Sequence, residues 1–389
     1  MHNGFKVMDS DIHVSEPPDL WIDYIDPAFR DLAPRKLSMN GRPETWHCLG
    51  RPLPAFIDRP ERQRGLDIRN EIARQKAESD GIYQPDKHES GSPGSGEEEG
   101  SRPEHMLKAV ETEGLDAAVC FRTMAAHVIG IDEMGPGLAA AICRAFNRWL
   151  RDYCDTRPSV LKLGALVPMH DVNLAIQEAE FAVNNLGAVT LVLPSNPVRQ
   201  RPWYDPGYEP FWTAVQSLGV PVSFHGIQMA YQDHLARRYM DNHALGHSVA
   251  HPVEMMCTLG AMLTGGVLER LPDLKAAFLE GHSSWVPWWL YCLDEHEEMM
   301  GDKGRFGLTR APSEYFLERC YVSVDPDEAL VKYTIQAIGS RNLVISTDWP
   351  HNDSAYPHAI ETFLSLEGVP ESSQREILWH NCARLYAIH

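Results

Sequence analysis

The chain has 389 residues, 43% of them hydrophobic and 23% charged, with a formal net charge of −19. That composition excludes a globally disordered chain, and the length is enough to bury a large core in one barrel-sized domain. The acidic balance excludes DNA or RNA as a partner, because phosphate binding needs a concentrated basic surface; small anionic substrates stay open, since a pocket can be locally positive.

Met1–Met8 has no long apolar stretch, so no secretory signal is expected, and the near-apolar run Cys257–Leu268 is too short to span a membrane. A short strand, Phe5–Ile12, opens the chain. A long stretch of weak periodicity follows. It holds a charged, helix-like segment at Asp58–Lys76 and a Gly/Ser-rich run at Glu89–Gly96 that leads into Glu97–Glu99. We read Glu16–Arg102 as an insertion within a single domain of residues 1–389, either a lid or oligomer contact over the active face or plain surface decoration.

From the helix expected at Pro103–Glu113 onward, strands and helices alternate. The predicted strands are Asp116–Phe121, Leu161–Val167, Ala188–Leu193, Pro221–His225, Lys275–Glu280, Tyr321–Val324 and Leu343–Thr347. Helices are predicted at Gly137–Asp155, Val172–Asn185, Pro210–Leu218, Val253–Arg270, Trp285–Met299 and Asp327–Ile338. Alternation of this kind implies parallel strands joined by right-handed crossovers, and the repeat count is that of a distorted (β/α)8 TIM barrel. An open doubly wound sheet is the competing fold. It normally carries a glycine-rich first turn, which Asp9-Ser10-Asp11-Ile12-His13 is not. The scattered cysteines, such as Cys120 within Ala118-Val119-Cys120-Phe121, read as buried reduced thiols of a cytoplasmic protein.

Chemistry-bearing residues collect at strand ends. Asp11 and His13 end the first strand and point to the same side, His225 ends the fifth, His282 follows the sixth, and Asp348 follows the eighth. In a parallel barrel those ends meet at one mouth. Imidazole and carboxylate together bind borderline divalent ions such as zinc or manganese, and a bound ion can activate water. Each residue alone has a plainer reading, as a structural histidine or a helix cap; the conjunction points to a metal site. Arg122 follows the second strand and is a candidate fork for a substrate carboxylate. Trp285, Trp288 and Trp289 read mostly as core by helical spacing, with Trp285 the one placed, beside His351, as a further candidate for the substrate pocket. Asp353 follows at the mouth, and His170, His251 and Glu254 read as loop, capping or supporting residues.

Asp9-Ser10-Asp11-Ile12-His13-Val14-Ser15-Glu16-Pro17, Phe224-His225, Leu279-Glu280-Gly281-His282 and Ser346-Thr347-Asp348-Trp349-Pro350-His351 resemble the motifs of the amidohydrolase superfamily, in its second amidohydrolase group, which is related to aminocarboxymuconate-semialdehyde decarboxylase. The resemblance covers most of the chain, with Glu16–Arg102 the least comparable part. It implies a distorted TIM barrel with one divalent ion, held by Asp11, His13, His225 and Asp348, with His282 and Asp348 handling protons. Leu193-Pro194-Ser195 lacks the lysine or glutamate that bridges two metals in binuclear relatives, so one ion is expected. Relatives often self-associate, so a homodimer is expected too.

Three functions follow. The first is a hydrolase of a small aromatic or cyclic amide, ester, thioester or lactone, using activated water. The second is a metal-dependent, non-oxidative decarboxylase of an aromatic or unsaturated carboxylic acid. The third is a non-catalytic barrel used for binding. Many decarboxylases of the group carry a glutamate shortly after the sixth-strand histidine. Trp285 stands there, and tryptophan cannot raise that histidine's basicity, which tilts the reading toward hydrolysis.

Overall fold

Eight short runs of β-branched and small apolar residues become the strands of one parallel sheet. In the computed structural model, which describes residues 1–38, 44–53, 100–226, 243–301, 306–351 and 354–388, these are β1 (Met8–His13), β5 (Ala117–Phe121), β6 (Leu161–Leu166), β7 (Thr190–Pro194), β8 (Val222–His225), β9 (Ala276–Leu279), β10 (Cys320–Val324) and β11 (Leu343–Ile345). They pair in that order, each parallel to the next. Every expected strand is present, with ends displaced by a few residues, and the fold is the expected (β/α)8 barrel. The strands are buried along nearly their whole length, as parallel strands covered on both faces must be. Phe224 and Phe278, paired on β8 and β9, stack with centroids 5.4 Å apart.

Polar bonds close the seam between the first and last strands. Ser10 donates to the Ile345 carbonyl at 2.6 Å, Ser346 to the Asp11 carbonyl at 3.3 Å, and the His13 N–H to the Trp349 carbonyl at 2.7 Å. The Asp9 carboxylate is wholly buried and takes the N–H of Asp11 (3.0 Å), the N–H of Thr347 (3.2 Å) and the Thr347 hydroxyl. Burial pushes Asp9 up to about 8.

The helices follow their punctuation. Asp171 caps the Val172–Leu186 helix by accepting from Asn173 N and Leu174 N, and Gly187 closes it at φ 71°. The Pro136–Cys154 helix buries Leu138, Ile142, Phe146 and Leu150 on one face. Within it, Asn147 brackets β6, donating to the Leu166 carbonyl (2.9 Å) and accepting its N–H (2.8 Å).

Four expectations need correction. The helix expected at Val253–Arg270 starts earlier, at His243, carries Pro252 within it and ends at Thr264; Gly266 in the left-handed region separates it from a short Val267–Arg270 turn. The weakly periodic stretch after β1 contains a small antiparallel sheet of β2 (Arg35–Leu37), β3 (Thr45–Cys48) and β4 (Arg51–Leu53). Trp288 is 58% exposed instead of core. All cysteines are free, and Cys257 is exposed where buried thiols were expected. The segments Asp58–Lys76 and Glu89–Glu99, and Asp353, lie outside the described residues. Among the described residues no helix is long and apolar enough to cross a membrane.

Candidate metal centre and active site

The C-terminal strand ends bring Asp11, His13 and His225 together beneath the barrel mouth, all three buried. His13 Nε2 lies 3.0 Å from His225 Nε2 and 3.4 Å from Asp11 Oδ1, and His225 Nε2 lies 3.0 Å from Asp11 Oδ2. The other ring nitrogens are committed elsewhere. His13 Nδ1 is 2.7 Å from the Arg122 carbonyl, and His225 Nδ1 is 3.1 Å from the Gly226 carbonyl. Each Nδ1 must therefore carry the proton, which leaves each Nε2 with a lone pair facing the cluster. Among the described residues no hydrogen-bond donor reaches either oxygen of Asp11. A buried carboxylate and two imidazole lone pairs facing one another repel, and a cation among them turns that repulsion into coordination. Burial holds both histidines well below their usual range, so they are neutral, as ligands must be, and it pushes Asp11 up to about 7. The residues fit one divalent cation.

Asp348 joins from the turn after β11. Its Oδ1 is 3.3 Å from His13 Nε2 and 2.8 Å from His351 Nδ1, so His13, Asp348 and His351 form a second group that shares His13 with the first. The expected ligands thus form two overlapping groups instead of one. His13 has a single free nitrogen, so one ion at a time can use it. The His351 ring stands 4.2 Å from that of His13.

Above the cluster opens a cavity of about 360 Å³, lined in part by His251, Glu280, His282, Asp325, Asp327 and Asp348. His282 is 55% exposed, and its Nδ1 is 2.9 Å from Asp325 Oδ2. The hydrogen bond to Asp325 raises the imidazole to about 9. Glu328 pins the segment behind it: its Oε1 accepts the N–H of Ser283 (2.9 Å), the N–H of Ser284 (2.7 Å) and both hydroxyls. Glu280, His282 and Asp348 all have left-handed backbones, with φ of 59°, 57° and 55°. Non-glycine residues rarely adopt that conformation, and it tends to gather at functional sites.

Two candidates sit elsewhere than expected. Arg122 is buried under the cluster and donates to the carbonyls of His225 (3.2 Å) and Gly226 (3.3 Å), so its fork points at backbone and not into the cavity. Trp285 donates to the Gly281 carbonyl at 2.6 Å and is not among the cavity-lining residues. His170 holds the Ile131 carbonyl at 2.8 Å, the loop contact expected of it. Asp325 and Glu280 are not among the sequence's site candidates, although both sit at strand ends by the same rule that picks out His225.

A family model described as Amidohydrolase matches residues 11–388. The chain belongs to the amidohydrolase family. Within that family it is 27% identical over 257 residues to the γ-resorcylate decarboxylase of Polaromonas sp., covering 63% of this chain and 76% of the relative. Its fold is similar to that of an amidohydrolase from Mycobacterium avium subsp. paratuberculosis (TM-score 0.76, 21% identity, 98% of this chain and 99% of the other). It is also similar to that of a dihydroxybenzoic acid decarboxylase from Polaromonas sp. described with bound manganese and 2-nitroresorcinol (TM-score 0.65, 21% identity, 80% and 92%). The chain is an enzyme of this family. The decarboxylase relatives reverse the expected order of hydrolysis and decarboxylation. The tilt toward hydrolysis rested on the carboxylate missing at Trp285, and Asp325, at the end of β10, supplies that partner to His282 instead.

Proposed function

We propose that the chain is a metal-dependent, non-oxidative decarboxylase of an aromatic carboxylic acid bearing an oxygen beside the carboxylate. The observation that carries this reading is the His282–Asp325 pair, which puts a protonated imidazole on the wall of a cavity next to the cluster. The similarity to a γ-resorcylate decarboxylase supports it.

Asp11, His13, His225 and Asp348 would hold the cation. When bound, manganese or zinc supplies Lewis-acid charge toward the substrate carboxylate and its neighbouring oxygen. Among the described residues no lysine or arginine lines the cavity, and of its lining histidines His282 is the one raised by a carboxylate partner. With Nδ1 tied to Asp325, Nε2–H is the donor left for the substrate. His282 gives that proton to the ring carbon carrying the carboxylate. The bond from that carbon to the carboxylate then breaks, its electron pair restores the aromatic ring, and carbon dioxide leaves. Solvent returns the proton to the exposed imidazole.

The test is product analysis on manganese-reconstituted protein offered ortho-hydroxybenzoates, γ-resorcylate among them, beside aryl esters and amides. The expected result is carbon dioxide and the parent phenol in equal amounts. Cleavage of esters or amides with oxygen from solvent water entering the product, and no carbon dioxide from any acid, would overturn the proposal.

A further inference from the structure

We infer that Glu280 is a positioning residue of the metal centre: its carboxylate orients His225, and His251 holds Glu280 in place. The inference rests on the metal reading of the cluster and not on which bond the enzyme breaks. Glu280 Oε2 lies 3.0 Å from His225 Nδ1 and 3.3 Å from His251 Nδ1. It therefore stands between the ring of the ligand from β8 and a buried histidine of the His243–Thr264 helix.

Two backbone features are shaped around this pair. Glu280 itself sits at φ 59°, a conformation that turns its side chain off the end of β9 at a conformational cost. Gly226, next to the ligand, has no room for a side chain. A Cβ there would stand 2.1 Å from His251 Nδ1 and 2.9 Å from Glu280 Oε2. The close approach of the two side chains to the β8 end thus needs glycine at that position.

The chemistry distinguishes the two histidines of the cluster. Among the described residues His13 Nδ1 faces neutral acceptors, the Arg122 carbonyl at 2.7 Å and the Thr123 hydroxyl at 3.3 Å. His225 Nδ1 faces a carbonyl and a carboxylate. A carboxylate behind a ligating imidazole fixes its tautomer and ring angle and strengthens the opposite nitrogen as a donor. His225 is therefore the stronger donor of the pair, and Glu280 is the residue that makes it so.

The experiment is calorimetric titration of Mn2+ into chelator-stripped wild type, Glu280→Ala, Glu280→Gln, His251→Ala and His225→Ala. Glu280→Ala is expected to weaken manganese binding by roughly 10- to 100-fold, the usual effect of losing such a partner. Glu280→Gln keeps an acceptor without charge and should recover part of the loss, and His251→Ala should lose less than Glu280→Ala. Unchanged affinity in Glu280→Ala, with binding abolished in His225→Ala, would overturn the inference. If Glu280→Ala does not fold, Glu280→Gln and His251→Ala carry the test, and wild-type affinity in both overturns it. Wild-type affinity in His225→Ala would instead remove the metal reading itself.

Discussion

The proton on His282 is held by Asp325, and that ties activity to pH in one direction. A histidine raised to about 9 is protonated below that value and loses its proton as pH rises through it. If the protonated form is the active one, kcat/KM falls on the alkaline side near pH 9. Asp325→Asn removes the main cause of the shift, so the fall should move down toward 6.5, the ordinary value for histidine. A pH–rate profile whose alkaline limb stays in place in Asp325→Asn would refute this role. The stability linkage has the same sign: the contribution of this pair is fully present below the unfolded-state value and is lost as pH rises through the folded one. His282→Ala should keep its metal and lose roughly 10²- to 10⁴-fold in rate, the usual range for a general acid. His225→Ala should lose the metal, which elemental analysis of the purified variants would show.

The seam between β1 and β11 depends on side chains. Asp9→Ala would leave the N–H groups of Asp11 and Thr347 and the Thr347 hydroxyl without their buried acceptor. We expect a loss of about 1–3 kcal/mol, read from denaturant unfolding of the metal-free protein. The elements themselves were largely legible, because each barrel strand is a short apolar run closed by turn residues and each long helix has a 3.6-residue apolar period. The small sheet at Arg35–Leu53 was not legible. Its strands are three or four residues long and alternate too briefly to register against a charged, proline-rich background. At the site, strand-end position picked out Asp11, His13, His225 and Asp348, of which the first three share one buried group and Asp348 joins His13 in a second. It did not single out Asp325 or Glu280, because their contacts are set by distant chain segments: Asp325 meets His282 across neighbouring strands, and Glu280 meets a helix that starts well upstream. Arg122 misled for the same reason. Its position said mouth, but its guanidinium turns inward to carbonyls that only the folded barrel places there.

For the whole molecule, the all-acceptor cluster links metal to folding. An ion bound by the native state alone stabilises it by RT ln(1 + [M]/Kd), about 2.7 kcal/mol at a hundredfold excess over Kd. Manganese should therefore raise the melting temperature of chelator-stripped protein by several degrees in a concentration-dependent way, and His225→Ala should show no such rise. A melting temperature indifferent to manganese would contradict the assignment.

The left-handed backbones of Glu280, His282 and Asp348 carry a consequence for evolution under two different filters. Glycine or asparagine relieves the conformational cost at such positions. A variant library sorted only for cellular abundance should enrich glycine or asparagine at these three positions, and one sorted for turnover should keep glutamate, histidine and aspartate. The positions at which the two enrichment maps part company would mark the active site without any substrate having been identified.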